Sequence, residues 1–188
     1  MTRLSQRDIK WGGQYLGFST TYIRDFGCTI TCLAMIIGTT PDVVNQRLKA
    51  VNGFLGNLVI WAKIPEAFPG ITIKRVWSYN NDEVKANVPN VLVEVPPQAI
   101  GGTTGKHWVV FLGNQRCNDP WTGLERATSD FTNYYPGASG YCLVLGKWIG
   151  LPPAINWDTK VDRMKTALFA GGTSEARCKE ADKIFHEV

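Results

Sequence analysis

The sequence predicts an α+β fold, with a few helices first and an antiparallel sheet behind them. Three observations lead there. A helix start is written at Thr40-Pro41-Asp42, with Thr as N-cap, Pro in the first turn and an acid after it. Apolar, β-branched runs crowd the later part of the chain, at 91–95, 107–112 and 141–145. Gly113-Asn114 marks a hairpin beside the second run, so neighbouring strands should pair antiparallel. Helices followed by strands, rather than alternating with them, point away from a parallel α/β fold.

The elements follow in order. Residues 1–27 are rich in Gly, Ser, Thr and aromatics and read as an irregular opening segment. The run 28–38 is apolar on nearly every side and bounded by Gly27 and Gly38. Its β-branched residues leave helix and strand both open on local pattern. After Thr40 the stripe Val43, Val44, Leu48 and Val51 predicts an amphipathic helix, stopped by Gly53. Residues 57–68 are expected to form a second short helix, ended by Pro69-Gly70. The alternation over 71–77 predicts a strand, and 82–87 a helical turn. A short strand near 115–118 should return from the hairpin. After Gly150 the composition changes. Leu151-Pro152-Pro153 reads as a linker, followed by helices over 159–170 and 174–188 that Gly171-Gly172 separates. The expected organisation is a domain over 1–150 and a helical extension over 151–188, a possible protein-partner surface.

Bulk properties narrow the function classes. A chain of 188 residues with 44% hydrophobic and 19% charged side chains suits one ordinary globular domain. The net charge of +4 comes from scattered Lys and Arg, so no nucleic-acid partner is expected. Five cysteines at irregular spacing make no disulfide framework, and without a CxxC pair no structural zinc site is expected. The first eleven residues are polar and predict no signal peptide. No apolar run reaches membrane-spanning length, so no membrane span is expected.

Chemistry is concentrated at a few positions. Cys28 follows a glycine and opens the apolar run; in the first turn of a helix its thiolate would be favoured by the helix dipole. The competing reading is a buried structural cysteine. Of the two histidines, His186 lies near the C-terminus. His107 opens a strand after the glycine-rich 101–106, where it can reach a cleft or simply end a strand. Asp119 stands twelve residues after His107, the span of a strand, a tight turn and a return strand. A hairpin of that length would set its carboxylate against one imidazole nitrogen, leaving the other for a thiol. The ordinary reading of Asp119-Pro120 is a turn at a strand end. Acyl transfer also needs oxyanion donors: the Cys28 N–H and a side-chain amide. Gln6 and Gln14 both precede Cys28, and chemistry alone leaves the choice open. Trp61, Trp77, Trp108 and Trp121 are candidate groove walls, with core packing expected for most. Cys32, one turn after Cys28, is expected to be a core residue.

These residues form an ordered set. Gln6-x-Asp8-x-x-Trp11 is followed by Leu16-Gly17, by Gly27-Cys28 with Leu33-Ala34-Met35, and by Thr40-Pro41. Lys106-His107-Trp108-Val109-Val110 and Asp119-Pro120-x-x-Gly123 complete it. The set resembles the bacteriocin-processing type of papain-like cysteine peptidase, nearest to stand-alone bacterial and phage forms, over about 4–146. The resemblance implies a papain-like fold in which Cys28 opens the central helix, packed on an antiparallel sheet. It also implies that Gln6 is the oxyanion glutamine and that His107 and Asp119 complete the site. Many relatives of that type carry Gly-Pro-Thr after the cysteine, where this chain has Thr29-Ile30-Thr31. That changes a cleft wall, so substrate preference does not carry over.

The expected activity is therefore thioester-forming hydrolysis of an amide, in a peptide or a peptidoglycan stem peptide. That acyl-transfer chemistry needs no metal or organic cofactor, so none is expected. The expected location is cytoplasmic or virion-associated. Two alternatives stand beside it: a transferase using the same residues, and a non-catalytic structural or binding protein, for example of a virion, that retains the fold.

Overall fold

The computed structural model describes residues 1–95, 106–130, 140–148 and 150. The expected linker, the two C-terminal helices and most of the glycine-rich 101–106 lie outside those residues. In chain order the described elements are α1 (Ile23–Phe26), α2 (Cys28–Ile37), α3 (Pro41–Ala50), β1 (Phe54–Leu55), β2 (Leu58–Val59), α4 (Ile64–Ala67) and β3 (Ile71–Val76). Then come α5 (Asn81–Ala86), β4 (Val91–Val95), β5 (His107–Gly113), β6 (Arg116–Asp119), β7 (Leu124–Ala127) and β8 (Gly140–Gly146). The fold is α+β. Its six-stranded sheet runs β3-β8-β4-β5-β6-β7, and every neighbouring pair is antiparallel.

The ambiguous run 28–38 is a helix. Ile30, Cys32, Leu33, Ala34 and Met35 of α2 are all buried, and the helix packs on β5. Burying each large side chain is worth about 1.5–3 kcal/mol, which outweighs the weak helix preference of its Ile and Thr residues. Gly38 ends α2 at φ +83° and returns its N–H to the Ala34 carbonyl at 3.0 Å. Thr40 stands at the N-cap of α3 and Pro41 in its first turn, as the sequence predicts. Val44, Leu48 and Val51 are buried against α2 and its surroundings.

Two expectations are corrected. Residues 57–68 are not one helix: β2 pairs with β1, a short 3-10 turn covers Trp61–Lys63, and only Ile64–Ala67 is α-helical. Gly56 at φ +64° closes the β1–β2 hairpin, a geometry that breaks any helix starting there. Strand β7, which pairs with β6, is absent from the sequence reading. Its Leu124-Glu125-Arg126-Ala127 has no apolar alternation because it is an edge strand with Leu124 and Glu125 exposed.

Both faces of the sheet are covered. One core joins α2, α3 and α4 to Leu92, Trp108, Val110, Cys142 and Val144. The opposite face gathers Val91, Val93, Val109, Phe111, Tyr141 and Leu143, with Val84 of α5. This explains why β4 is buried at every position. Among the described residues no single helix is long and apolar enough to cross a membrane.

Candidate active site

Three of the four site residues predicted from sequence come together where α2 meets the start of β5 and the end of β6. Cys28 is the first residue of α2, behind Gly27. The reason for that glycine is packing. A Cβ at Gly27 would lie 2.5 Å from the Ile23 carbonyl oxygen, so only glycine lets α1 run directly into α2. The first turn of a helix leaves backbone N–H groups without intrahelical partners, and the dipole there favours an anion. The Cys28 thiol is half-buried and hydrogen-bonds with His107.

His107 opens β5 and is 3% exposed. Its Nε2 lies 2.8 Å from Asp119 Oδ1, which leaves Nδ1 for the thiol. The hairpin delivers this pairing. Gly113, Asn114 and Gln115 all take positive φ, and β6 returns antiparallel to β5 so that Asp119 reaches His107. Asp119 is fully buried and richly held. Trp121 donates its backbone N–H to Oδ1 at 2.9 Å. Thr122 Oγ1 donates to Oδ2 at 3.3 Å, and Arg126 Nη1 donates to the same oxygen at 3.2 Å. Arg126 comes from β7, the strand the sequence reading missed, and it was missed with it.

The electrostatics separate Cys28 from its fellow thiols. Burial pushes the Cys28 thiol up, but the hydrogen bond and charge of His107, with help from the Trp108 backbone and Thr29, bring it below the ordinary value. Burial alone would lower His107, yet its hydrogen bonds to Asp119 and Cys28 raise it to about 9. Burial raises the Asp119 carboxyl, while His107, the Trp121 N–H and Arg126 hold it below its usual range. Together these shifts favour a thiolate–imidazolium pair. The other described thiols move the opposite way: burial pushes Cys117 and Cys142 to about 12 and Cys32 well above its ordinary value. Cys32 is a core residue, as expected, with its thiol on the Trp108 carbonyl at 3.3 Å.

Gln6 is 1% exposed and tied to both sides of the site. Its backbone N–H donates to the Pro120 carbonyl at 2.7 Å, next to Asp119. Its side-chain Nε2 donates to the Arg24 carbonyl at 3.0 Å, on the element leading into Cys28. The amide has a second N–H to offer, and its Oε1 is buried without a partner. Gln14 is half-buried and is bonded through its backbone to Trp11 and Ile23. Gly123, at φ +71°, sits so close to Ser5 that a Cβ would lie 2.9 Å from the Ser5 Cβ. The opening segment therefore clasps the Asp119–Gly123 turn.

The tryptophans divide. Trp108 is buried beside His107, with Trp61 at 5.1 Å between ring centroids. Arg75 lies 4.7 Å from the Trp108 ring and 4.0 Å from that of Trp77, which is 72% exposed rather than core. Arg7 covers Trp121 at 4.6 Å. A shallow cavity of about 540 Å³ lies away from these residues, between β3, α5 and Tyr141. No cluster of His, Cys, Asp and Glu among the described residues is arranged to hold a metal ion.

No protein-family model matches the chain, and no curated protein does.

Proposed function

We propose that this protein is a papain-like cysteine hydrolase that cleaves amide bonds in a peptide or a peptidoglycan stem peptide, in the cytoplasm or in association with a virion. One observation supports the reading above the others: a half-buried thiol at a helix N-terminus hydrogen-bonds to a histidine that an aspartate holds from its far side. A structural cysteine has no need of that arrangement, and the other described thiols lack it.

In the proposed reaction the Cys28 thiolate attacks the substrate carbonyl carbon. The oxyanion is held by the Cys28 N–H and by the second N–H of the Gln6 amide. The C–N bond breaks as protonated His107 gives its proton to the leaving amine. Neutral His107 then takes a proton from water, whose oxygen attacks the thioester carbonyl. The acid leaves, and thiolate and imidazolium are restored. Asp119 keeps the imidazole oriented and stabilises its charged form.

The test is mass spectrometry after exposure to a peptide bearing a thiol-directed warhead. Stoichiometric modification at Cys28, lost in His107→Ala, is the expected result. Modification spread over all the cysteines, or unaffected by His107→Ala, would overturn the reading.

A further inference from the structure

We propose that Arg126 is a positioning residue of this site, fixing the Asp119 carboxylate so that one chosen oxygen faces His107. The role rests on the reading of Cys28, His107 and Asp119 given above.

The geometry is specific. Asp119 divides its oxygens: Oδ1 meets His107 Nε2 and the Trp121 N–H, while Oδ2 meets Arg126 Nη1 and the Thr122 hydroxyl. The torsion that turns a carboxylate is soft, so an oxygen held only on one side is poorly fixed. Arg126 supplies the other side. Its Nε also reaches Asp130 Oδ2 at 3.4 Å, so one planar guanidinium spans two carboxylates. The β6–β7 register sets Arg126 opposite Cys117, on the same face as Asp119 two residues further along. The Arg126 side chain is 21% exposed and Asp119 is fully buried, so this ion pair is only weakly screened by solvent.

The titratable and charged groups around Asp119 are His107 from β5, Arg126 from β7 and Asp130 just beyond it. Among the described residues, Cys117 on β6 and Cys32 on α2 also feel the Asp119 charge, and Cys28 meets it through His107. The cations among them are His107 and Arg126. With Arg126 gone, the Asp119 carboxylate turns more freely and orients the imidazole less well, and with one cation fewer near the site the Cys28 thiolate forms only at higher pH. Lysine keeps a charge but not the planar fork, so it replaces arginine in part.

The experiment measures iodoacetamide alkylation of Cys28 by mass spectrometry across pH in the full chain. In wild type the acid limb should lie below that of an ordinary thiol. Arg126→Gln should move the limb up by about one pH unit, making Cys28 about tenfold slower near its foot. Arg126→Lys should recover about half of that shift. A lower Tm with an unmoved limb would assign Arg126 to holding β7 in place and overturn the positioning role. Should Arg126→Gln fail to fold, Arg126→Lys decides alone, and a limb identical to wild type overturns the role. A wild-type Cys28 that alkylates like an ordinary thiol overturns the reading of the site itself, and this role with it.

Discussion

Cys28 takes its acidity from its neighbours, and each neighbour has a separate test. Cys28→Ala and His107→Ala should reduce hydrolysis to background. Asp119→Ala should cost on the order of 100-fold or more while leaving measurable turnover, since an orienting group contributes less than nucleophile or base. Gln6→Ala should lower kcat on the order of 100-fold, as for one lost oxyanion donor, and Gln14→Ala should not. Comparable damage from Gln14→Ala would transfer the donor role. The pH dependence has a definite sign. The proposed mechanism needs thiolate and imidazolium together, so activity should rise through an acid limb below the ordinary thiol value. It should fall as His107 loses its proton, its pKa raised to about 9. A basic limb near 6.5, the ordinary histidine value, would show that Asp119 does not stabilise the imidazolium. Cys28, His107 and Asp119 were legible because each stands at a local landmark: a glycine before an apolar run, a strand start, and an Asp-Pro turn at hairpin distance. Arg126 stands at no such landmark. Its importance comes from the strand register, which no local pattern records.

Among the elements, α2 was ambiguous because apolarity on every side erases periodicity; burial, not propensity, makes it helical. The β1–β2 hairpin and β7 were illegible for related reasons. The paired strands β1 and β2 have two residues each, and β7 alternates nothing because it lies at the sheet edge. The α1–α2 junction gives the clearest element-level prediction. Gly27→Ala forces a Cβ against the Ile23 carbonyl oxygen and the Ile23 side chain, so α1 must shift against α2. The expected outcome is a loss of about 1–3 kcal/mol in denaturant unfolding. Slower alkylation of Cys28 should accompany it, because the same junction sets the thiol. A Gly27→Ala variant of unchanged stability would show that the junction relaxes without cost. The capping of α5 offers a milder contrast. Asn80 accepts from the N–H groups of Asp82 and Glu83, so Asn80→Ala should cost about 1 kcal/mol and leave the thiol untouched.

At the scale of the molecule, the sheet is braced by a buried ion pair on its helix-covered face. Arg75 Nη2 donates to Glu94 Oε2 at 2.8 Å, joining β3 to β4 across β8, with Lys106 on the other oxygen at 3.4 Å. Glu94→Ala leaves the Arg75 guanidinium buried without its carboxylate and should destabilise the fold by about 3–5 kcal/mol in urea titration. A change within 0.5 kcal/mol, the range of an ordinary surface site, would mean the pair is hydrated. The opening segment shapes the molecule differently. Its contacts with the Asp119–Gly123 turn join residues far apart in sequence, such as Ser5 and Trp121, separated by 116 positions. Such long-range pairing forms slowly. It also sets a schedule for synthesis. Gln6 and Cys28 leave the ribosome early, but their partners on β5 and β6 arrive more than seventy residues later. A nascent chain therefore displays its thiol with neither base nor clasp, and ribosome-bound chains arrested before Asp119 should show an ordinary, slow-reacting cysteine. The proposed site is therefore complete only after β5 and β6 have both left the ribosome, so its chemistry is withheld until the sheet that houses it exists.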